Sequence, residues 1–327
     1  SVCLGRKGIW EIALQTAADE HPPLHYFLLH LWQAVAGESA FAVRFSSLAL
    51  ATLTVALLYR VGRVVANQQV GFMAALFLAI SRFHIWWSQE IKMYALATFL
   101  SLLSLYLFWR LLWNPRWLYW ASFTLVNVLA LYTHYLTLLV VLAENGVLVL
   151  IALGRVRRGE STRSLAVRWS LAQLILFLLF LPWLYLSATH PTVWRSPPPF
   201  QFSLFLRLAA TVLSLGVTLE IDRYLWLVVG FVALTSAGLV LLLRGDTRER
   251  QGALLLGLTL GLPLVVIYLL SLPRATSFYA AKIEARYLLI FLPAYLLLLA
   301  WGVWLLGRRF WPLGLLSLLF VVASQGY

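Results

Sequence analysis

YALATFLSLLSLYLFWRLLW, residues Tyr94–Trp113, is the stretch on which the fold turns. Its only charge is Arg110, and its leucines do not alternate with polar residues as a half-buried strand requires. A helix rises 1.5 Å per residue, so roughly 20 such residues cross a hydrocarbon core about 30 Å thick. Phe72–Trp87 and Leu288–Leu306 read the same way.

Working outward, the whole chain carries this signature. Of its 327 residues 62% are hydrophobic and 11% charged, whereas soluble domains carry about 25% charged residues. So apolar a surface suits lipid, where a helix satisfies its backbone within each span. The apolar runs place spans at about 45–65, 70–87, 93–113, 117–134, 136–153, 169–188, 224–243, 253–271, 285–306 and 310–325. The expected fold is all-α: a polytopic bundle of about ten transmembrane helices with extracytoplasmic interfacial helices, forming one domain over 1–327. Leu24–Ala36 is apolar but too short to span, and Phe200–Leu219 reads as a second interfacial or re-entrant helix. Pro197-Pro198-Pro199 marks a stiff loop.

The net charge of +13 is sorted by position. Alternate connections hold Arg60 and Arg63, Arg110 and Arg116, Arg155 to Arg168, Arg244 to Arg250, and Arg308 and Arg309, together 14 of the 25 Lys and Arg. Positive-inside sorting assigns these loops to the cytoplasm and argues against a nucleic-acid partner. The other connections, including residues 1–44, carry most of the acids: Glu11, Asp19, Glu20, Glu38, Glu90, Glu220, Asp222 and Glu284. Chemistry is therefore expected on the extracytoplasmic side of a cytoplasmic (inner) membrane. The lone cysteine, Cys3, excludes an internal disulfide and any cysteine metal cage. The start at Ser1 and the end at Tyr327, directly after an apolar run, read as cuts through a longer protein.

Four polar clusters interrupt the apolar runs. Asp19-Glu20-His21-Pro22-Pro23-Leu24-His25-Tyr26 reads as a helix start, with prolines in the first turn and acids at the positive end of the dipole, or as the polar rim of a membrane-surface cavity. Ser88-Gln89-Glu90-Ile91-Lys92-Met93-Tyr94 sets opposite charges in an aromatic belt, where a solvated turn is the plainer reading. Thr133-His134-Tyr135 joins two spans, and a histidine there is more often structural than a ligand. Glu284-Ala285-Arg286-Tyr287 opens a span; Arg286 either snorkels or binds phosphate through its planar fork. Glu144 lies inside a span beside Asn145, with no partner legible in the sequence. The tryptophans of Trp109–Trp120 read as a belt rather than a binding box. No phosphate-binding loop, dinucleotide fingerprint, metalloprotease helix or nucleophile elbow is present.

At these residues the sequence resembles the membrane glycosyltransferases of the GT-C fold. It is most similar to protein mannosyltransferases and to bacterial enzymes that move sugars onto lipid A or lipopolysaccharide. The resemblance runs through the His21-Pro22-Pro23 element, Leu28-Leu29-His30-Leu31-Trp32, Val43-Arg44-Phe45, Gln89 to Leu96, Tyr132 to Tyr135, and Arg286-Tyr287-Leu288-Leu289 with Pro293. It implies a sugar donated from a polyprenyl phosphate at the outer leaflet, usually with inversion, to a lipid, polysaccharide or protein acceptor. It also implies roles: Asp19, Glu20 and Glu90 as catalytic carboxylates, and His21, His25, Lys92, Tyr94, His134, Arg286 and Tyr287 around the substrate. Some relatives use a divalent metal; Glu20, His21, Glu90 and His134 include suitable ligand types, but their spacing prescribes no site, so no cofactor is assigned. In the family the leading acid follows a first transmembrane helix upstream of the His-Pro-Pro element. This chain is expected to lack both and so not to turn over alone. The rival readings are a transporter or lipid-linked-sugar flippase, which would show matched broken helices at the midplane where none is legible, and a non-catalytic scaffold subunit.

Overall fold

The computed structural model describes residues 2–19, 21–190, 201–216, 221–271 and 284–326. Glu20, Glu220, Thr192–Phe200 and the Pro197-Pro198-Pro199 loop lie outside the described residues. The helices, in chain order, are α1 (Val2–Gly5), α2 (Ile9–Ala17), α3 (Leu24–Ala36), α4 (Ala40–Val65), α5 (Gln68–Ile80), α6 (Arg82–Ser88), α7 (Tyr94–Trp113), α8 (Trp117–Leu131), α9 (Leu138–Arg157), α10 (Arg163–Thr189), α11 (Phe202–Leu215), α12 (Ile221–Leu243), α13 (Thr247–Ser271), α14 (Leu292–Arg309) and α15 (Trp311–Ala323). Two 3-10 turns, Tyr135–Thr137 and Ala285–Phe291, lead into α9 and α14. No strand occurs among the described residues.

Among the described residues seven helices are long and apolar enough to cross a membrane, and an eighth span exists if α5 and α6 are counted together. The expected ten thus resolve into seven, one bent pair, and the two shorter apolar helices α8 and α15. The continuous span expected over 70–87 is broken: α5 and α6 meet at 60°. Ser81 makes the break. Its backbone is extended at ψ 116°, and its hydroxyl accepts from the His84 amide, capping a new helix instead of continuing the old one. A broken helix is therefore present after all, but it is the one such pair among the described residues, not the matched pair that repeat transporters use.

The chain forms two compact units. The first comprises residues 1–50 and 90–193, and α7 is its core, with 72% of its apolar window buried. α7 packs on α8 and α9, and α8 packs on α10. α7 carries Ser104, whose hydroxyl lies 2.9 Å from Asn127 Oδ1 on α8 and 2.7 Å from Glu144 Oε1 on α9. Glu144, fully buried, thus has its partner. The neighbouring Asn145 accepts from the indole N–H of Trp169 on α10. An apolar cluster of Ala17, Val128, Leu131, Leu176, Phe180 and Trp183 joins α2, α8 and α10.

The second unit comprises residues 51–89 and 194–327. Its core is α14, 89% buried with the turn before it, and packed by α5, α12, α13 and α15. α12 and α14 approach so closely that a Cβ on Gly238 would stand 2.6 Å from the Gly302 Cα. Close backbone approach through small residues is how helices associate where lipid removes the hydrophobic drive. The second short helix, α11, turns Phe205, Ala209 and Thr211 through Leu215 into the protein.

Candidate functional site

In the first unit the chain around His21 is anchored by backbone geometry. The two prolines preset the entry to α3, and the Leu24 amide donates to the Tyr132 carbonyl at 3.0 Å, just past the end of α8. This bond brings together segments more than a hundred residues apart. It sets the His21 ring 5.7 Å from the His134 ring, centroid to centroid. On its other contact, His134 meets Tyr94 at 5.5 Å. Tyr94 opens α7 and is 1% exposed; His134 is 5% exposed.

His134 is held in one tautomer. Its Nδ1 accepts from the Leu136 amide at 3.1 Å, capping the turn that begins α9. An amide nitrogen can only donate, so the proton of the neutral ring sits on Nε2. The carbonyl of the same residue accepts from the Thr137 hydroxyl at 2.7 Å. Behind it, Trp183 Nε1 donates to the Tyr135 hydroxyl at 3.0 Å, and the Tyr132 hydroxyl donates to the Leu179 carbonyl at 2.9 Å. The loop carrying His134 is therefore fixed on both sides to α10.

His25, in the first turn of α3, is buried, with its Nε2 lacking a hydrogen-bond partner. Its pKa is depressed to about 3, chiefly by burial and in smaller part by the charges of Lys92 and His21. It is a neutral ring at any physiological pH, and Lys92 lies in the turn two residues before Tyr94. His21, His25, Lys92, Tyr94 and His134 thus gather at one end of α7 and α8.

The other expected site residues are placed differently. Asp19 is exposed in the turn after α2, its amide donating to the Thr16 carbonyl at 3.1 Å. Glu90 is exposed, and its carbonyl accepts from the Lys92 amide at 2.9 Å in the tight turn before α7. Arg286 and Tyr287 belong to the second unit. There Arg286 is half-buried and ion-paired with Glu284, while Tyr287 is buried at the start of the turn into α14. Among the described residues no three His, Cys, Asp or Glu side chains stand close enough to hold a metal ion. The Tyr132 carbonyl and the Trp183–Tyr135 bond were not legible as site features. Only the sequence Tyr132-Thr133-His134-Tyr135 pointed near them.

The long apolar helices make this an integral membrane protein, and a solved structure gives its fold, GT-C. The crystal structure of ArnT from Cupriavidus metallidurans in the apo state superposes on 96% of this chain with a TM-score of 0.63 at 15% identity. The structure of the same protein bound to undecaprenyl phosphate gives 0.59 at 15% identity over 96% of this chain. Residues 20–186 match the family described as Dolichyl-phosphate-mannose-protein mannosyltransferase, and the chain belongs to that family. It spans 57% and 58% of the two ArnT chains it resembles. No curated protein sequence matches it.

Proposed function

We propose that the chain is part of a membrane glycosyltransferase that takes a sugar from a polyprenyl phosphate at the extracytoplasmic face of the inner membrane. The observation that carries this reading is the gathering of His21, His25, Lys92, Tyr94 and His134 at one end of membrane helices, within a chain of the mannosyltransferase family. The undecaprenyl phosphate bound to ArnT, a protein of the same fold, supports a donor of that lipid class. A prenyl chain requires a lipid-embedded enzyme, and a phosphate requires cations and N–H donors at the membrane boundary.

The chemistry assigns each group a task. The acceptor hydroxyl attacks the anomeric carbon, its oxygen forming the new glycosidic bond. The bond from that carbon to the phosphate oxygen breaks, and the electron pair leaves with polyprenyl phosphate. The hydroxyl proton passes to a carboxylate base; Glu90, Asp19 and Glu20 are the candidates this chain supplies. Lys92 neutralises the charge developing on the leaving phosphate. His134, with its proton on Nε2, donates a hydrogen bond there, and Arg286 is a further phosphate candidate in its own unit.

The test is sugar transfer from synthetic polyprenyl-phosphate sugars by membranes containing the full-length protein. Lys92→Ala and His134→Phe are each expected to lower transfer about 100-fold or more, the usual loss for removing one preorganised donor, with thermal unfolding shifted only slightly for Lys92→Ala. Transfer at wild-type rates in both variants would remove this cluster from the reaction.

A further inference from the structure

At the end of α8 opposite the histidine cluster, α8 and α10 part to leave a groove of about 740 Å³. α8 is 15 residues long, so the amino-terminal end of the groove lies roughly 20 Å from the histidine cluster along its axis. The groove is apolar through most of its length, lined by Trp117, Trp120, Leu125, Leu171 and Ile175, and Arg168 lies at its amino-terminal end. Arg168 is exposed and makes no ion pair among the described residues. Arg116, which precedes α8, is likewise exposed and without an ion pair.

A groove facing bare hydrocarbon needs none of these groups. Alkyl chains would fill it, but they would leave the two guanidiniums without a counter-charge. A molecule with a phosphate at one end and apolar chains beyond meets both in that order. We propose that this groove binds one anionic phospholipid of the surrounding bilayer, its phosphate on Arg168 and Arg116 and an acyl chain along Ile175 and Leu125. Basic pockets between membrane helices take lipid headgroups in this manner. Both helices also point their positive, amino-terminal ends to the phosphate position. The occupant supports the α8–α10 pair, which carries Tyr132 and Trp183 at its far end and through them the loop of His134.

The full-length protein in nanodiscs of equal phosphatidylglycerol and phosphatidylethanolamine, released for native mass spectrometry, tests this directly. One phosphatidylglycerol is expected to stay bound per chain, enriched over phosphatidylethanolamine roughly fivefold for each arginine engaged. Arg168→Ala should remove about fivefold of that preference, and Arg168→Lys should keep most of it. Ala121→Phe, which fills the groove without touching a charge, should expel the lipid altogether. Ala121 and Arg168 are exposed, so both variants are expected to unfold at the wild-type temperature. Equal retention of the two phospholipids by the wild type, or retention unchanged in Ala121→Phe, overturns the proposal. So does displacement of the bound phosphatidylglycerol by stoichiometric undecaprenyl phosphate, which would assign the groove to the prenyl lipid. None of these outcomes bears on sugar transfer at the histidine cluster.

Discussion

The two units solve the same packing problem with different emphasis. In the first, the core helix α7 is tied to its neighbours by buried polar groups: Ser104 to Asn127 and Glu144, with Asn145 taking the Trp169 indole close by. In the second, the core helix α14 is approached by backbone itself, Gly302 against Gly238, with a matching contact of Gly62 on Gly71 between α4 and α5. Lipid solvates apolar side chains as well as a protein core does, so membrane helices gain specificity from close contact or from hydrogen bonds. A glycine contact fixes a distance but tolerates sliding. A hydrogen-bonded trio fixes rotation and register as well. Both units use buried hydrogen bonds, since Tyr295 of α14 meets Ser214 of α11 at 2.9 Å; the unit tied through Ser104 is the one in which the His134 and Tyr94 rings lie 5.5 Å apart.

The largest test strikes the glycine side. In Gly302→Ala the added Cβ would stand 2.8 Å from the Gly238 Cα, which is backbone and cannot swing away. A loss of about 1–3 kcal/mol is expected from this overpacking, and Gly302→Leu should fail to yield folded protein. Gly154, with open space where a Cβ would go, is the control, and Gly154→Ala should unfold like wild type. Thermal unfolding in detergent measures all three; a stable Gly302→Leu would show that α12 and α14 do not need this contact.

A smaller effect is expected on the polar side. The Ser104 hydroxyl carries one hydrogen but lies within bonding distance of two oxygens, Asn127 Oδ1 and Glu144 Oε1. Asn127 cannot be flipped to help, because its amide nitrogen donates to the Phe123 carbonyl at 3.1 Å. The count closes when Glu144 supplies a hydrogen of its own. Glu144→Gln, which also brings a donor, should therefore keep nearly all stability. Glu144→Ala should lose about 1–2 kcal/mol, the upper range for hydrogen bonds between membrane helices. Equal damage from both substitutions in thermal unfolding would mean that the trio depends on an ionised carboxylate instead.

How legible each feature was follows from the range of the forces that make it. Seven spans could be read from hydropathy because about twenty apolar residues suffice to specify a crossing. α3 could be read to its last residue, since Pro22-Pro23 sets its start and Gly37, at φ 79°, its stop. The break at Ser81 was hidden because both flanks are apolar; its one signal was a serine three residues before the His84 amide it caps. The meeting of His21 with His134 depends on the Leu24–Tyr132 backbone bond, which no local pattern encodes. Trp117 and Trp120 read from the sequence as belt residues; the groove they line exists only through the spacing of α8 and α10.

The smallest effect should separate the site from the scaffold that carries it. His25 is buried in α3, outside the membrane-crossing helices, with a pKa of about 3 caused first by burial and then by Lys92 and His21. Unfolded, the same ring titrates near 6.5. Between these values the unfolded chain holds a proton that the folded one refuses, so acidification favours unfolding. The loss should be slight at pH 7, about 0.8 kcal/mol at pH 6.0, and grow by about 1.4 kcal/mol for each further unit down toward pH 3. His25→Phe has no such proton to gain. The difference between its unfolding curve and that of the wild type, taken at pH 7.5 and at pH 6.0, isolates His25 from the other histidines. A wild type that loses no more stability than His25→Phe over this interval would mean that His25 titrates normally. The ring would then be reached by water, and the cluster around Lys92 and His134 would be an open surface rather than a site screened from solvent.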